Sequence, residues 1–219
     1  MNKHLFFERV KKMKLMKKIF IIAGVVLLLL ALPFASMITE TLTAQTNEVL
    51  CVREGDVIFQ TSPSNQSKMI QIATRSKISH CGIVVMKDGE PYVLEARKTL
   101  VLTPLDKFIA RGVEGRYWLK RPEKDNIKIT YDNYLGTPYD LAFKFGNDKL
   151  YCSELVYEIY KNQLGVELCE PKKVADYMLP GIKYLSGIEE EMNKRGITLE
   201  QYAVAPVDVF NSMNLKPVK

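Results

Sequence analysis

The stretch SHCGIVVMKDGEPYVLEA, residues 79–96, decides the fold of this chain. Mostly β-branched and apolar residues flank Asp88-Gly89, a dipeptide that strongly signals a two-residue turn, so the stretch predicts a β-hairpin. With that turn, Lys87 pairs with Glu90. Counting back along both strands then brings Gly82 opposite Glu95.

This register places the carboxylate of Glu95 near His80. His80 is the single histidine besides His4, which belongs to the N-terminal segment, so a cysteine–histidine enzyme has one candidate base here. Glu95 falls on the same face as His80 and close to it, because diagonal cross-strand neighbours lie about 7–8 Å apart. There it would fix the imidazole tautomer and stabilise the imidazolium. Two plainer interpretations stay open: a hydrogen-bonded core His80, and a surface Glu95 paired with Arg97.

The four cysteines differ in their predicted surroundings. Cys81 directly follows His80, so strand alternation turns its side chain to the opposite face and predicts a core residue. Cys152 begins a predicted helix, where first-turn amides and the helix dipole favour a thiolate and could bind the oxyanion of an attacked carbonyl. The alternative is a buried helix cysteine without a chemical role. The cysteines, which include Cys51 and Cys169, form no C-x-x-C pair, so we predict no structural zinc or other metal site.

Further elements follow from apolar periodicity and turn residues. The sequence predicts a strand at 55–59, a helix at 64–75, short strands near Leu100 and at 116–120 with a helix from Pro104 between them, and a helix at 152–163 that Gly165 ends. Residues 126–135 fit a strand or a helix.

Five segments occur in an order that resembles the YaeF/YiiX-type permuted papain-like amidases, which are relatives of the NlpC-type hydrolases and of the lecithin–retinol acyltransferase group. They are GDVIF (55–59), SHCGIVV (79–85), VLEA (93–96), GTPYD (136–140) and YCSELV (151–156), and the resemblance spans about residues 55–215. It implies an α+β protein with a circularly permuted papain-like (NlpC-type) fold: an antiparallel sheet with packed helices, in which histidine precedes cysteine along the chain.

The same resemblance implies roles for four residues. Cys152 would be the nucleophile, His80 the base and Glu95 the acid that orients the base. Tyr139 would line the site and assist the oxyanion. Cys81 departs from the pattern, since such enzymes often have an aliphatic residue there.

The basic charge of the chain is concentrated at its N-terminus. Residues 1–38 hold seven Lys and Arg and one Glu, which accounts for the formal charge of +6, and the rest is neutral, so we expect no nucleic-acid partner. The uncharged run at 19–35 predicts a hydrophobic helix that acts as a signal peptide or membrane anchor. We therefore expect a leader at 1–38, a linker at 39–48 and a hydrolase domain at 49–219, secreted or anchored outside the cytoplasmic membrane.

Together these patterns predict a monomeric cysteine amidase or peptidase that needs no metal or organic cofactor. Cell-wall (murein) peptides are the first expected substrates, because the domain is expected outside the membrane. Two alternatives remain at this stage. One is a hydrolase or acyltransferase acting on a lipid ester or N-acyl amide, and the other is a catalytically silent module that binds peptide or lipid.

Overall fold

The computed structural model describes residues 51–178 and 187–218, which form an α+β arrangement built on an antiparallel sheet. Six strands lie in the order β4-β3-β2-β1-β5-β8, and two short strands, β6 and β7, form a separate ribbon. The strands are β1 Val57–Gln60, β2 His80–Lys87, β3 Glu90–Ala96, β4 Leu100–Pro104, β5 Trp118–Pro122, β6 Lys172–Lys173, β7 Tyr202–Ala203 and β8 Leu215–Pro217. The helices are α1 Asn65–Thr74, α2 Leu105–Arg111, α3 Cys152–Ile159, α4 Val174–Tyr177, α5 Ile188–Arg195 and α6 Pro206–Phe210.

The central hairpin has the predicted register. Lys87 faces Glu90 and Ile83 faces Leu94 across β2 and β3. The turn residues Asp88 and Gly89 have φ values of 53° and 84°, the left-handed conformation that a tight two-residue hairpin turn needs. Continuing the register brings Gly82 opposite Glu95.

The two faces of the sheet pack against different helices. One face presents residues such as Phe59, Cys81 and Ile83 to helix α3. The other presents residues such as Ile58 and Val84 to helix α2. Cys81 is thus a fully buried core residue, as its strand position predicts.

Helix α3 places Cys152 at its first position. Seven of its eight residues are buried, so the helix is enclosed on nearly all sides. The chain continues through a π-helical turn, Tyr160–Leu164, and stops at Gly165, whose φ of 68° suits glycine. The predicted helix at 152–163 and its end are therefore confirmed.

Most other predicted elements also form. Helix α1 begins after Ser64, whose hydroxyl accepts a hydrogen bond from the Ser67 amide, and α2 follows Pro104 directly. Strand β5 starts at Trp118, two residues later than predicted. Residues 126–135 contain neither a strand nor an α-helix, only the 3₁₀ turn Asp132–Tyr134.

The predicted leader at 1–38, its hydrophobic helix and the linker at 39–48 lie outside the described residues. Within 51–178 and 187–218, no helix has the length and apolar character needed to cross a membrane.

Candidate active site

The first strand of the hairpin begins with His80, whose ring contacts Glu95. The Nε2 atom of His80 lies 2.6 Å from Oε2 of Glu95. Gly82 lets strand β3 approach strand β2 closely beside this contact, because a Cβ atom there would lie 2.5 Å from Val93 Cγ1 and 2.7 Å from the Leu94 carbonyl oxygen. The histidine and the glutamate that the sequence paired are thus in direct contact.

Glu95 is fully buried and has two further partners. Thr103 Oγ1 donates to Oε1 at 2.5 Å, and Arg111 donates to both carboxylate oxygens at 2.6 and 2.7 Å. Burial alone would raise the pKa of this carboxyl, but the hydrogen bond and charge of His80, with the bonds from Arg111 and Thr103, lower its pKa to about 2. Glu95 is therefore a carboxylate at neutral pH.

Helix α2 supplies two of the groups that hold His80 and Glu95. Phe108 and Arg111 are three residues apart, which puts both on one side of the helix. The Phe108 ring stacks on the His80 imidazole with 5.7 Å between ring centroids and 23° between planes, and the Arg111 guanidinium lies 5.4 Å from the Phe108 centroid. Imidazole, carboxylate and guanidinium thus form one packed unit.

The Cys152 side chain interacts with His80. A hydrogen bond with Cys81 lowers the pKa of the Cys152 thiol, burial opposes that change, and the hydrogen bond and charge of His80 lower the pKa further, to well below its usual value. Burial tends to lower the pKa of His80, yet the bonds and charges of Cys152 and Glu95 raise that pKa to about 9. A thiolate and an imidazolium are therefore the stable pair at neutral pH.

Cys81 has a role that strand alternation did not reveal. It packs in the same core cluster as Cys152, on the face against helix α3, and its thiol is hydrogen-bonded to the Cys152 sulfur. Burial raises the pKa of Cys81 well above its usual value, and the hydrogen bond and charge of Cys152 raise it further. Cys81 is therefore a neutral donor to the neighbouring thiolate.

Tyr139 lies beside Cys152 because its strand-like segment runs next to the start of helix α3. The Leu150 amide donates to the Pro138 carbonyl at 3.2 Å, and the Asp140 amide donates to the Leu150 carbonyl at 3.2 Å. Burial and the charge of Cys152 raise the pKa of Tyr139 well above its usual value, so its hydroxyl keeps its proton. Tyr139 thus presents a neutral hydroxyl near the nucleophile.

Gln66 orients that hydroxyl. Its Nε2 donates to the Tyr139 hydroxyl oxygen at 2.6 Å, while its Oε1 accepts from Arg195 at 3.0 Å. Arg195 is itself paired with Glu191 at 2.5 Å. Since Gln66 is the donor, the Tyr139 proton stays available for another acceptor.

The described cysteines are all free thiols. Cys51 is exposed, Cys169 is half-buried, and burial raises the pKa of Cys169 to about 12. Cys169 packs against the core cluster that contains Cys152. No disulfide joins any two of the four sulfurs.

Sequence reasoning missed several partners of the site: Thr103, Phe108, Arg111, Gln66 and Arg195. Arg111 and Thr103 had one indirect signal, because a buried Glu95 needs donors around it. Nothing in the spacing of Gln66 or Arg195 points to Tyr139, since these contacts depend on how helices α1 and α5 pack.

The chain matches the model of a known family. The model of the family "permuted papain-like amidase enzyme, YaeF/YiiX, C92 family" matches residues 51–219. The chain belongs to this family. It is 38% identical over 171 residues to the uncharacterized protein YiiX of Escherichia coli K12, covering 75% of this chain and 84% of that protein.

A solved structure shares the fold of the family. The crystal structure of YiiX from Escherichia coli O157:H7 superimposes with a TM-score of 0.69 at 37% identity, covering 76% of this chain and 96% of that one. That YiiX is described as a metalloprotein. In the described part of this chain, no group of three or more His, Cys, Asp or Glu side chains is arranged to hold a metal ion. The residues found here therefore do not fit such a site.

Proposed function

We propose that this chain is a cysteine amidase in which Cys152 is the nucleophile, His80 the general acid and base, and Glu95 the residue that positions His80. The observation that carries the proposal is the buried contact of His80 with Glu95, next to a Cys152 thiol whose pKa is lowered. Membership of an amidase family supports the reaction class.

In the proposed first step, the Cys152 thiolate attacks the carbonyl carbon of an amide. A bond forms between sulfur and carbon, the carbon–nitrogen bond breaks, and the His80 imidazolium gives its proton to the leaving amine. In the second step, neutral His80 takes a proton from water while the water oxygen attacks the acyl-enzyme. The carboxylic acid leaves and the thiolate is restored.

The carbonyl oxygen becomes negative in both steps and needs donors. Amides in the first turn of helix α3 have no acceptor inside the helix, so they are suited to that oxyanion. We assign a second donor to Tyr139, because its hydroxyl accepts from Gln66 and keeps its own proton to donate. Glu95 holds the imidazolium orientation throughout without taking its proton.

Acyl-enzyme trapping tests the proposal. The protein is mixed with chromogenic amides and murein peptides, quenched in acid, and analysed by intact mass and peptide mapping. We expect an acyl adduct on Cys152 that is absent in Cys152→Ala, while the matched variant Cys169→Ala keeps both adduct and turnover. Turnover that persists in Cys152→Ala, or an adduct on another residue, would overturn the assignment.

We also propose that the domain acts outside the cytoplasmic membrane, delivered or anchored by residues 1–38. The support is the basic cluster followed by the uncharged run at 19–35. A reporter enzyme active only outside the cytoplasm, fused after Lys219, should be active. Activity from a cytoplasm-only reporter instead would contradict this location.

The location makes murein peptides one substrate candidate. A second candidate, an N-acyl amide or ester with an aliphatic chain, is favoured by an apolar cavity that reaches Cys152.

A further inference from the structure

Two thiols from distant parts of the chain meet where strand β2 lies against the start of helix α3. Cys81 is the second residue of β2 and Cys152 is the first residue of α3. Both are buried in one apolar cluster. Two groups of Cys81 reach the same sulfur, because its thiol and its backbone amide each hydrogen-bond to Cys152 Sγ. The two thiols are therefore in direct contact.

This contact has the arrangement from which a disulfide forms. A disulfide needs side chains that point at each other from Cα atoms less than about 7 Å apart. The bond between the thiols aims one side chain at the other, and the amide contact holds the Cys81 backbone beside the Cys152 sulfur. Only a small closing movement of the two side chains separates the contact from a covalent bond.

The two thiols differ in ionisation in the way that such a pair requires. The pKa of Cys152 lies well below its usual value, and the pKa of Cys81 lies well above it. Peroxides oxidise the thiolate form, so Cys152 reacts first. The charge of the Cys152 thiolate contributes to the raised pKa of Cys81, and this contribution disappears once Cys152 is oxidised. Oxidation of Cys152 thus makes Cys81 a better attacking group.

We propose that Cys81 and Cys152 form a modification site for hydroperoxides, in which oxidation of Cys152 is followed by a disulfide to Cys81 that switches the enzyme off reversibly. The loss of activity rests on the proposed cysteine amidase function, whereas formation of the bond does not. Any route that admits an amide substrate to Cys152 also admits hydrogen peroxide, because the peroxide is smaller.

The reaction has two steps. The Cys152 thiolate first attacks a peroxide oxygen: a sulfur–oxygen bond forms, the oxygen–oxygen bond breaks, and the leaving hydroxide takes the proton of the His80 imidazolium to become water. The sulfur loses the two electrons that the peroxide gains. The Cys81 sulfur then attacks the Cys152 sulfur, the sulfur–oxygen bond breaks, and hydroxide leaves as water with the Cys81 proton.

The disulfide protects the nucleophile from further oxidation. A dithiol reductant restores both thiols by thiol–disulfide exchange. Without Cys81, excess peroxide carries the Cys152 sulfenic acid on to a sulfinic acid, which a dithiol does not reduce. The presence of a neighbouring thiol therefore decides whether inactivation is reversible.

Peptide mapping of oxidised wild type tests the site. The protein is treated with hydrogen peroxide, its remaining thiols are alkylated in acid, and unreduced peptides are analysed by mass spectrometry. We expect a cross-linked pair that joins Cys81 to Cys152, formed in step with the loss of amide turnover and lost again, with return of turnover, after dithiothreitol. Lack of this pair, or a bond from Cys152 to Cys169 in its place, would overturn the proposal.

Variants test the protective role of Cys81. Under excess peroxide, Cys81→Ala and Cys81→Ser should accumulate sulfinic acid at Cys152. Dithiothreitol should restore at least about fivefold less of each variant's own starting activity than it restores in wild type. The matched control, Cys169→Ala, removes a thiol that packs against the same cluster and should recover as wild type does. Equal recovery in wild type and both Cys81 variants would contradict the proposal.

The two readouts separate this inference from the proposed function. If peroxide joins Cys81 to Cys152 while wild type cleaves no amide, the modification site stands and the amidase proposal fails. If wild type forms an acyl adduct on Cys152 and turns over, but peroxide gives only sulfinic acid there, the amidase proposal stands and the modification site fails.

Discussion

Two fully buried glutamates of this protein hold opposite protonation states. Glu95 contacts His80 and Arg111, and its pKa is lowered to about 2. Glu154, in the first turn of helix α3, accepts from the Gly146 amide at 2.8 Å, but burial raises its pKa to about 8, with further effects from nearby acids. Equal burial thus gives a carboxylate in one place and a neutral acid in the other, because only Glu95 has cationic partners.

The different protonation states of Glu95 and Glu154 suit them to different roles near Cys152. Ionised Glu95 compensates the charge of the His80 imidazolium, so that thiolate, imidazolium, carboxylate and guanidinium balance one another. Neutral Glu154 holds the loop that leads into helix α3 through its bond from Gly146. We therefore expect changes at Glu95 to affect chemistry and changes at Glu154 to affect stability.

The largest expected effect is that of Glu95→Gln. Loss of the carboxylate leaves His80 without its orienting charge, so we expect kcat to fall by about 10³-fold to 10⁴-fold. The pKa of His80 should fall below about 9, which moves the alkaline limit of activity to lower pH. Steady-state kinetics from pH 5 to 10 measure both quantities. A variant that folds and keeps wild-type kcat would show that Glu95 has only a structural role.

Arg111→Lys should have a smaller effect on the same carboxylate. Lysine keeps the charge but lacks the planar guanidinium that lies over the Phe108 ring and reaches Glu95, so we expect about a tenfold loss of kcat/KM. The matched control is Arg116→Lys, which alters an exposed ion pair with Glu114 and should leave the kinetics unchanged. Equal losses in the two variants would point to a general effect of replacing arginine.

Glu154→Gln should change how stability depends on pH and leave kcat within about threefold. The folded protein holds the Glu154 proton up to about pH 8, whereas the unfolded chain releases it near 4.5. Wild-type stability should therefore fall as pH rises between these values, and the variant should lack this part of the decline. Urea unfolding at pH 5, 6.5 and 8 measures the free energy of unfolding of both proteins. If this free energy changed with pH in the same way in wild type and in the variant, the raised pKa of Glu154 would be contradicted.

The smallest expected effect is that of Cys81→Ala. Removing a small core side chain should cost roughly 1 kcal/mol of unfolding free energy while leaving the rate per folded molecule nearly intact. The Cys152 pKa should rise, because the hydrogen bond that lowers it most is lost, while the hydrogen bond and charge of His80 remain. Chemical unfolding and turnover, each corrected for the folded fraction, check this. Vanished turnover in a folded variant would make Cys81 part of the catalytic machinery.

Local rules predicted much of the fold and the core of the site. The Asp88-Gly89 turn fixed the hairpin register, and that register brought Glu95 to His80. Contacts between distant elements were beyond such rules. The bond of Cys81 with Cys152 depends on how helix α3 crosses the sheet, and the Gln66 bond to Tyr139 depends on the placement of helix α1.

The central claim is that Cys152, His80 and Glu95 act as one unit, and site-resolved alkylation tests it most directly. Iodoacetamide labelling rates of Cys152 and Cys51 are measured by mass spectrometry from pH 5 to 9 in wild type and His80→Ala. We predict that Cys152 reacts faster than exposed Cys51 near pH 6.5, and that His80→Ala slows only Cys152. A Cys152 that reacts only as pH approaches the ordinary thiol value of about 8.5, unaffected by the loss of His80, would contradict the claim.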